Sequence, residues 1–263
     1  MLYCTQRRVV SAIVSIGFLG IILIVCAVPA FGDPKRPNRV VCRQDLSLAR
    51  RQELANKLRA ITGWSELGFD RDGALMSGSK IGSPGSPASR ELIARAVNGD
   101  IVIVLEDASN RQDVVFSRIV PGRWIKSSHD DPPAYVMLID FADFDHLIGD
   151  KVALRAFDVG WGFLHELDHV RNESADTETL HDTGECEAHI NQMRRECNLP
   201  LRTEYLYTYF PRTEQSEFRT RFVRLAFDHQ DATNAKHRRY WVMWDATLVG
   251  GLGPFNTLAK LKN

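Results

Sequence analysis

The sequence lacks a charge bias. Across 263 residues, 33 Lys and Arg stand against 33 Asp and Glu, for a formal net charge of +0. The basic residues are scattered along the chain instead of gathered in a stripe, which excludes a polyanion-binding surface and, with it, nucleic acid as a partner. Cysteine is scarce: Cys4, Cys26, Cys42, Cys186 and Cys197 are the five. No two of them have the CxxC spacing of a thiolate zinc site, so a metal bound mainly by sulfur is excluded. No internal repeat is present, which removes solenoids and propellers. Long apolar runs are missing after residue 30.

The one long apolar run is N-terminal. Residues 1–8 (MLYCTQRR) form a cationic leader, residues 9–30 are almost wholly apolar, and Val28-Pro29-Ala30 offers small residues at a cleavage position. This predicts export. At about 22 residues the run is also long enough to span a bilayer, so residues 1–32 read as a signal peptide or an N-terminal membrane anchor. Leu23-Ile24-Val25-Cys26 departs from a lipoprotein box at the bulky Val25. The expected location is periplasmic, secreted, or membrane-anchored through residues 9–30 with the domain outside the cytoplasm. Removing the leader takes away Arg7 and Arg8, leaving 31 basic and 33 acidic residues. In an oxidising compartment Cys42, Cys186 and Cys197 remain. Cys186 and Cys197 on one helix would stand about 16 Å apart, beyond the reach of a disulfide, so any internal bridge is expected to use Cys42.

Residues 33–44 read as a Pro-rich, charged linker and residues 45–263 as a single domain large enough for its own core. Helical periodicity over residues 46–61, closed by Gly63, predicts a first helix. Residues 64–90 read as an exposed loop with one short strand near 74–79, followed by a short helix at 90–97. Runs rich in Val and Ile at 101–105, 114–120 and 134–139 predict a small sheet, and after residue 155 the pattern turns helical. The fold class is α+β: a small N-terminal sheet, then a mainly helical part.

That helical part carries the chemistry. Trp161 to Val170 (WGFLHELDHV) contains HExxH, a pattern expected by chance on the order of once in a hundred chains of this size. On a helix, His165 and His169 lie one turn apart on one face, so both imidazoles reach one zinc ion while Glu166 addresses a water beside it. Phe163, Leu164, Leu167 and Val170 recur at helical spacing and bury another face. Asp168 and Arg171 stand where zinc peptidases usually carry an uncharged and an apolar residue. The bland alternative is a surface helix whose two histidines are incidental.

A catalytic zinc takes three protein ligands. The pattern HExxHxxGxxH/D would place the third six residues after His169, but that position is Ala175, with Asp176 one step off. The next helix is the expected source. Asp182-Thr183-Gly184-Glu185 is suited to a capping box, and Cys186, Ile190, Met193 and Cys197 make a buried stripe. Glu185, Glu187 and His189 sit on its first turns. Asn191, one turn beyond Glu187, is placed to accept the second ring N–H of a zinc-bound histidine, which favours Glu187. Glu185, His189 and Asp176 stay open, although Asp176 and His181 read more simply as loop residues. Asp140, Asp143, Asp145 and His146 cluster in DFADFDH but lack the spacing of a calcium loop, so a solvated turn is expected. The glycine-rich stretch 250–254 reads as a turn, and Tyr205, Tyr207 and Tyr209 alternate as in a strand.

HELDH followed by Glu187-Ala188-His189-Ile190-Asn191 resembles the gluzincin division of zinc metallopeptidases. The longer stretch 187–205 (EAHINQMRRECNLPLRTEY) is similar to the segment after the motif in bacterial zinc metallopeptidases of the effector-protein type. In gluzincins the supporting residue one turn after the ligand glutamate is commonly Asp; here it is Asn191. The resemblance covers about 50 residues and implies a zincin-like fold, zinc held by His165, His169 and Glu187, and Glu166 as general base for hydrolysis of a peptide or protein substrate. The alternative is an exported, non-catalytic binding protein with a structural zinc site.

Overall fold

A computed structural model describes residues 39–109, 111–125, 128, 130–179, 182–209, 221–230 and 237–249. The leader 1–32, residues 33–38 of the expected linker, His181 and the glycine-rich stretch 250–254 lie outside these residues. Among the described residues, no helix is long and apolar enough to cross a membrane.

The chain combines helices and sheets, an α+β fold that begins with a sheet. Strand β1 (Val40–Cys42) falls inside the stretch expected to be a linker, because Val40 and Cys42 both bury against the sheet. Helix α1 (Leu48–Thr62) starts where the Ser47 side chain accepts the Arg50 N–H, and ends at Gly63 in the left-handed region. A small hairpin follows, β2 (Gly68–Phe69) and β3 (Leu75–Met76), where one strand was expected. Helix α2 (Pro87–Asn98) opens with Pro at its first position and Ser86 as its cap. The three runs rich in Val and Ile become β4 (Val102–Asp107), β5 (Ser117–Pro121) and β6 (Ala134–Ile139).

The first sheet has the order β1-β4-β6-β5. Its first three strands are parallel, and β5 runs antiparallel at the edge. Parallel neighbours need long connections, and α1 and α2 lie in the connection between β1 and β4.

Three short elements lead to the site: α3 (Phe141–Asp145), β7 (Ile148–Gly149) and α4 (Lys151–Ala156). Asp140 and Asp143, expected in a solvated turn, are buried. Asp140 caps α3 through the Asp143 N–H at 3.0 Å, and Asp143 accepts the Phe116 N–H at 2.9 Å. Both carboxylates are spent on backbone N–H groups that burial would otherwise leave costly. Asp145 and His146 match the expectation; both are exposed, and Asp145 pairs with Arg50 at 2.9 Å.

Helix α5 (Val159–Asn172) carries HExxH and packs on α1 and α2 and against β5 and β6. Helix α6 (Gly184–Glu196) crosses α5. Phe163, Leu164, Leu167 and Val170 of α5, with Cys186, Ile190 and Met193 of α6, join the sheet residues Ile103, Leu105, Met137 and Ile139 in the main core.

Beyond α6 the chain does not stay helical. Strands β8 (Leu201–Arg202), β9 (Thr208–Tyr209), β10 (Phe222–Gln230) and β11 (His237–Asp245) form a second sheet ordered β7-β11-β10-β8, with β9 also on β10. In β10 the residues Val223, Leu225 and Phe227 bury at period two, as do Val242 and Trp244 in β11. They close a second core on Phe116 and Phe157, where Phe116 meets Trp244 edge-on with centroids 5.2 Å apart. Interspersed Arg and His residues mask this alternation in the sequence. Cys42, Cys186 and Cys197 are free, so no bridge forms through Cys42, and burial pushes its thiol up to about 12.

Candidate metal centre

Helix α5 brings the two motif histidines together because its start is held firmly. Asp158 caps it through the N–H groups of Gly160 and Trp161, and Lys57 pairs with the same carboxylate at 3.0 Å. His165 and His169 then stand one turn apart with their Nε2 atoms 3.2 Å from each other. Asp176 closes the group: its Oδ1 lies 3.2 Å from His165 Nε2, and its Oδ2 lies 3.4 Å from His169 Nε2. Ligands about 2.1 Å from a tetrahedral zinc stand about 3.4 Å apart, so this triangle has the size that a small divalent ion needs. With Cys186 added, His165, His169, Asp176 and Cys186 each place one donor atom within 4.8 Å of the others, a cluster that could hold a metal ion.

Cys186 approaches from another side than Asp176. Its Sγ lies 3.4 Å from His165 Nδ1 and 3.4 Å from the His165 carbonyl oxygen. On the far side of His169, Nδ1 is 2.8 Å from the Ser174 carbonyl oxygen, which makes Nδ1 a donor, so that a ring holding one proton presents its Nε2 lone pair to the site.

The charges are complementary. Burial opposes protonation of His165, but hydrogen bonds with Asp176, Cys186 and Glu187 prevail and raise its pKa well above the ordinary value. Burial likewise opposes charge on His169, yet Asp176 and Cys186 push it up to about 11. Burial would raise Asp176, and the two histidines outweigh it, holding the carboxyl far below its usual range. Without a metal, the carboxylate thus favours the protonated form of both imidazoles. A divalent cation binding here displaces those protons.

Glu187, the third ligand expected from the sequence, is placed differently. It is fully buried, and both of its oxygens are engaged: Oε1 by Arg194, and Oε2 by Arg202 at 2.9 Å. Burial would raise its pKa, but the two guanidinium charges hold it far below the carboxylate range. It faces His165 Nδ1 at 3.5 Å, on the side away from Asp176. Asn191 does not support a ligand histidine; its Oδ1 accepts from Arg194 and from the Arg202 N–H, bracing the two arginines. Glu185 is exposed and outside the cluster, and His189 gives its Nδ1 to Asp168 at 2.8 Å.

Asp176, left open in the sequence although one residue out of register, reaches the site by a local device. Helix α5 ends with Glu173 at a φ of 54°, and the following segment folds back over the helix. Gly184 at a φ of 78° lets that segment lie on the start of α6, where a Cβ would come within 2.7 Å of the Thr177 nitrogen. The expected capping box is not formed; the Asp182 carboxylate takes the Gly184 N–H at 3.1 Å. Gly184→Ala is expected to add about 1–3 kcal/mol of backbone strain and, by moving the segment, to weaken any metal binding at the cluster about tenfold. Zinc titration beside thermal unfolding checks this, and unchanged affinity would show that the segment is placed independently of Gly184.

Glu166 points to the other wall of the site, where Ser117 Oγ donates to its Oε1 at 2.9 Å. Two features allow this. Gly162 lies one turn before Glu166, and a Cβ there would meet Phe144 at 2.8 Å and Ser117 Oγ at 3.2 Å. Phe116 has a φ of 63°, a strained backbone for a bulky residue, which sits directly before Ser117. His165 and Glu166 share the wall of a cavity of about 240 Å³ whose other walls include Phe116, Phe157, Tyr207 and Trp244. Tyr205 stacks on His165 with centroids 6.1 Å apart, and its hydroxyl helps hold the Asp176 carboxyl low; burial raises its own pKa, so the phenol stays protonated. Tyr205 thus carries a part that alternation alone did not assign to it.

Compared with family models, curated proteins and solved structures, the chain matches none.

Proposed function

We propose that the chain is an exported zinc metallopeptidase that hydrolyses peptide bonds, with Glu166 as general base. The observation that carries this reading is the triangle of His165, His169 and Asp176 with Glu166 adjacent and held by Ser117. Zinc fits the donor set of two imidazoles and a carboxylate, which leaves a fourth position for water or substrate. Zinc held there supplies a Lewis acid that acidifies water and polarises a carbonyl. Glu166 accepts a proton from water as it adds to the amide, then delivers it to the leaving amine. The Ser117 hydrogen bond fixes the carboxylate orientation, and Tyr205 and Ser174 fix Asp176 and His169.

Two features favour a peptide as substrate. Among the described residues β5 pairs only with β6, so the edge strand carrying Ser117 has a side that an extended chain can join. The cavity beside Glu166 exceeds the roughly 150 Å³ in which a benzene ring binds, so it accepts one large apolar side chain. Export, and membrane attachment through residues 9–30, are inferred from the leader sequence alone.

One observation favours the second reading, a binding protein with a structural metal. Cys186 is a fourth donor within reach, and a fourth protein ligand closes a zinc site to water. Glu166→Gln separates the two. The variant keeps shape but cannot take a proton, so it is expected to hold zinc and lose at least about a hundredfold in peptide hydrolysis. Wild type, variant and chelated wild type are compared on one peptide library. A variant as fast as wild type refutes the mechanism, and a zinc-loaded wild type that cleaves nothing supports the structural site.

A further inference from the structure

Asp168 is the motif residue that the hydrolytic chemistry does not use. It lies on α5 between the two histidines, its side chain is fully buried, and a carboxylate in that position needs compensating donors. It has three, each from a different part of the site. Asn172, the last residue of α5, donates to Oδ1; Ser174, in the segment leading to Asp176, donates to Oδ2 at 2.7 Å; and His189 of α6 meets Oδ2 at 2.8 Å. Ser174 is held twice over, since its carbonyl oxygen is also the partner of His169 Nδ1 at 2.8 Å. Two residues further on, Asp176 lies against both Nε2 atoms. One carboxylate therefore ties the helix end, the returning segment and α6 at the point where the segment must be aimed.

We infer that Asp168 is the positioning residue of the metal centre: it pins Ser174, so that the Ser174 carbonyl orients His169 and Asp176 reaches both histidines. The inference rests on the metal-binding reading of the cluster and gives a purpose to the charged residue that interrupts the motif. A carboxylate is suited to this task because each oxygen accepts without needing a donor of its own. Asp168 touches no reacting atom; it acts through Ser174.

The test uses the full chain, with zinc titrated against a chromophoric chelator, the visible spectrum of the cobalt(II) form, and unfolding of the metal-free protein. Asp168→Ala is expected to lose about ten- to a hundredfold in zinc affinity, the usual cost of removing an outer partner, and to alter the cobalt spectrum. Asp168→Asn keeps an oxygen for Ser174 and His189 while its amide faces a turned Asn172, and should recover most of the affinity. Ser174→Ala leaves the backbone carbonyl in place and cuts only the latch, with an expected loss of about tenfold. If Asp168→Ala does not fold, Ser174→Ala decides. Wild-type affinity and spectrum in the folded variants would overturn the inference, as would an Asn variant as weak as the Ala variant. A wild-type chain that binds neither zinc nor cobalt would instead remove the metal reading itself.

Discussion

Glu187→Ala is expected to cost the metal-free protein about 3–5 kcal/mol of stability, because it leaves two buried guanidinium groups facing each other without their shared carboxylate. Arg194 has a side chain only 2% exposed, and Arg202 12%. The rest of Arg194 is packed in place, stacked over Trp161 and Phe227 with its Nε donating to the Ala156 carbonyl oxygen. Neither arginine can turn to solvent without dismantling the contact between α6 and the second sheet. For a domain of this size, the loss corresponds to a melting temperature lower by roughly 6–20 °C. Thermal or urea unfolding without metal measures it. A variant that melts as wild type but no longer binds zinc would reverse the assignment and restore Glu187 as a ligand.

That residue also shows how far the sequence reaches. The spacing of Phe163, Leu164, Leu167 and Val170 marked the buried face of α5 correctly, because helical periodicity is a local property. The same reasoning found Cys186, Ile190 and Met193 as the buried stripe of α6, and the Val- and Ile-rich runs marked the strands β4 and β6, though not their parallel pairing. Choosing a ligand among Glu185, Glu187, His189 and Asp176 was a different task, since it depends on which cation each carboxylate meets. Arg194 and Arg202 claim Glu187, and Arg202 comes from a strand after α6 whose approach no periodicity discloses. Asp176 failed a register rule that assumes a fixed return from the helix. The left-handed Glu173 and the Asp168–Ser174 bond set a different return, and only the side-chain hydrogen bonds reveal it.

The C-terminal sheet was missed for a related reason. The inward residues Val223, Leu225 and Phe227 alternate, but Ala226 is also buried and Arg224 lies over Trp241 at 3.9 Å, so polarity does not alternate cleanly with burial. A strand signal of that kind becomes clear only when its partner, β11, supplies the other half of the core.

The candidate metal centre makes the sharpest demand. Asp176→Ala is expected to weaken zinc binding as much as His165→Ala or His169→Ala, roughly a hundredfold or more each, taking a tetrahedral site of about 10–16 kcal/mol to be shared among four ligands. The double variant His165→Ala with His169→Ala should retain no stoichiometric zinc. Cys186→Ser distinguishes the open from the closed site. With the metal on the Nε2 side, the thiol is an outer neighbour of His165 Nδ1, and its loss should cost no more than about tenfold and leave the coordination spectrum free of a sulfur contribution. If instead Asp176→Ala binds zinc as wild type does and Cys186→Ser does not, the ion sits on the thiol side of His165. The fourth position that hydrolysis needs is then already taken, and Glu166 has no water to act on.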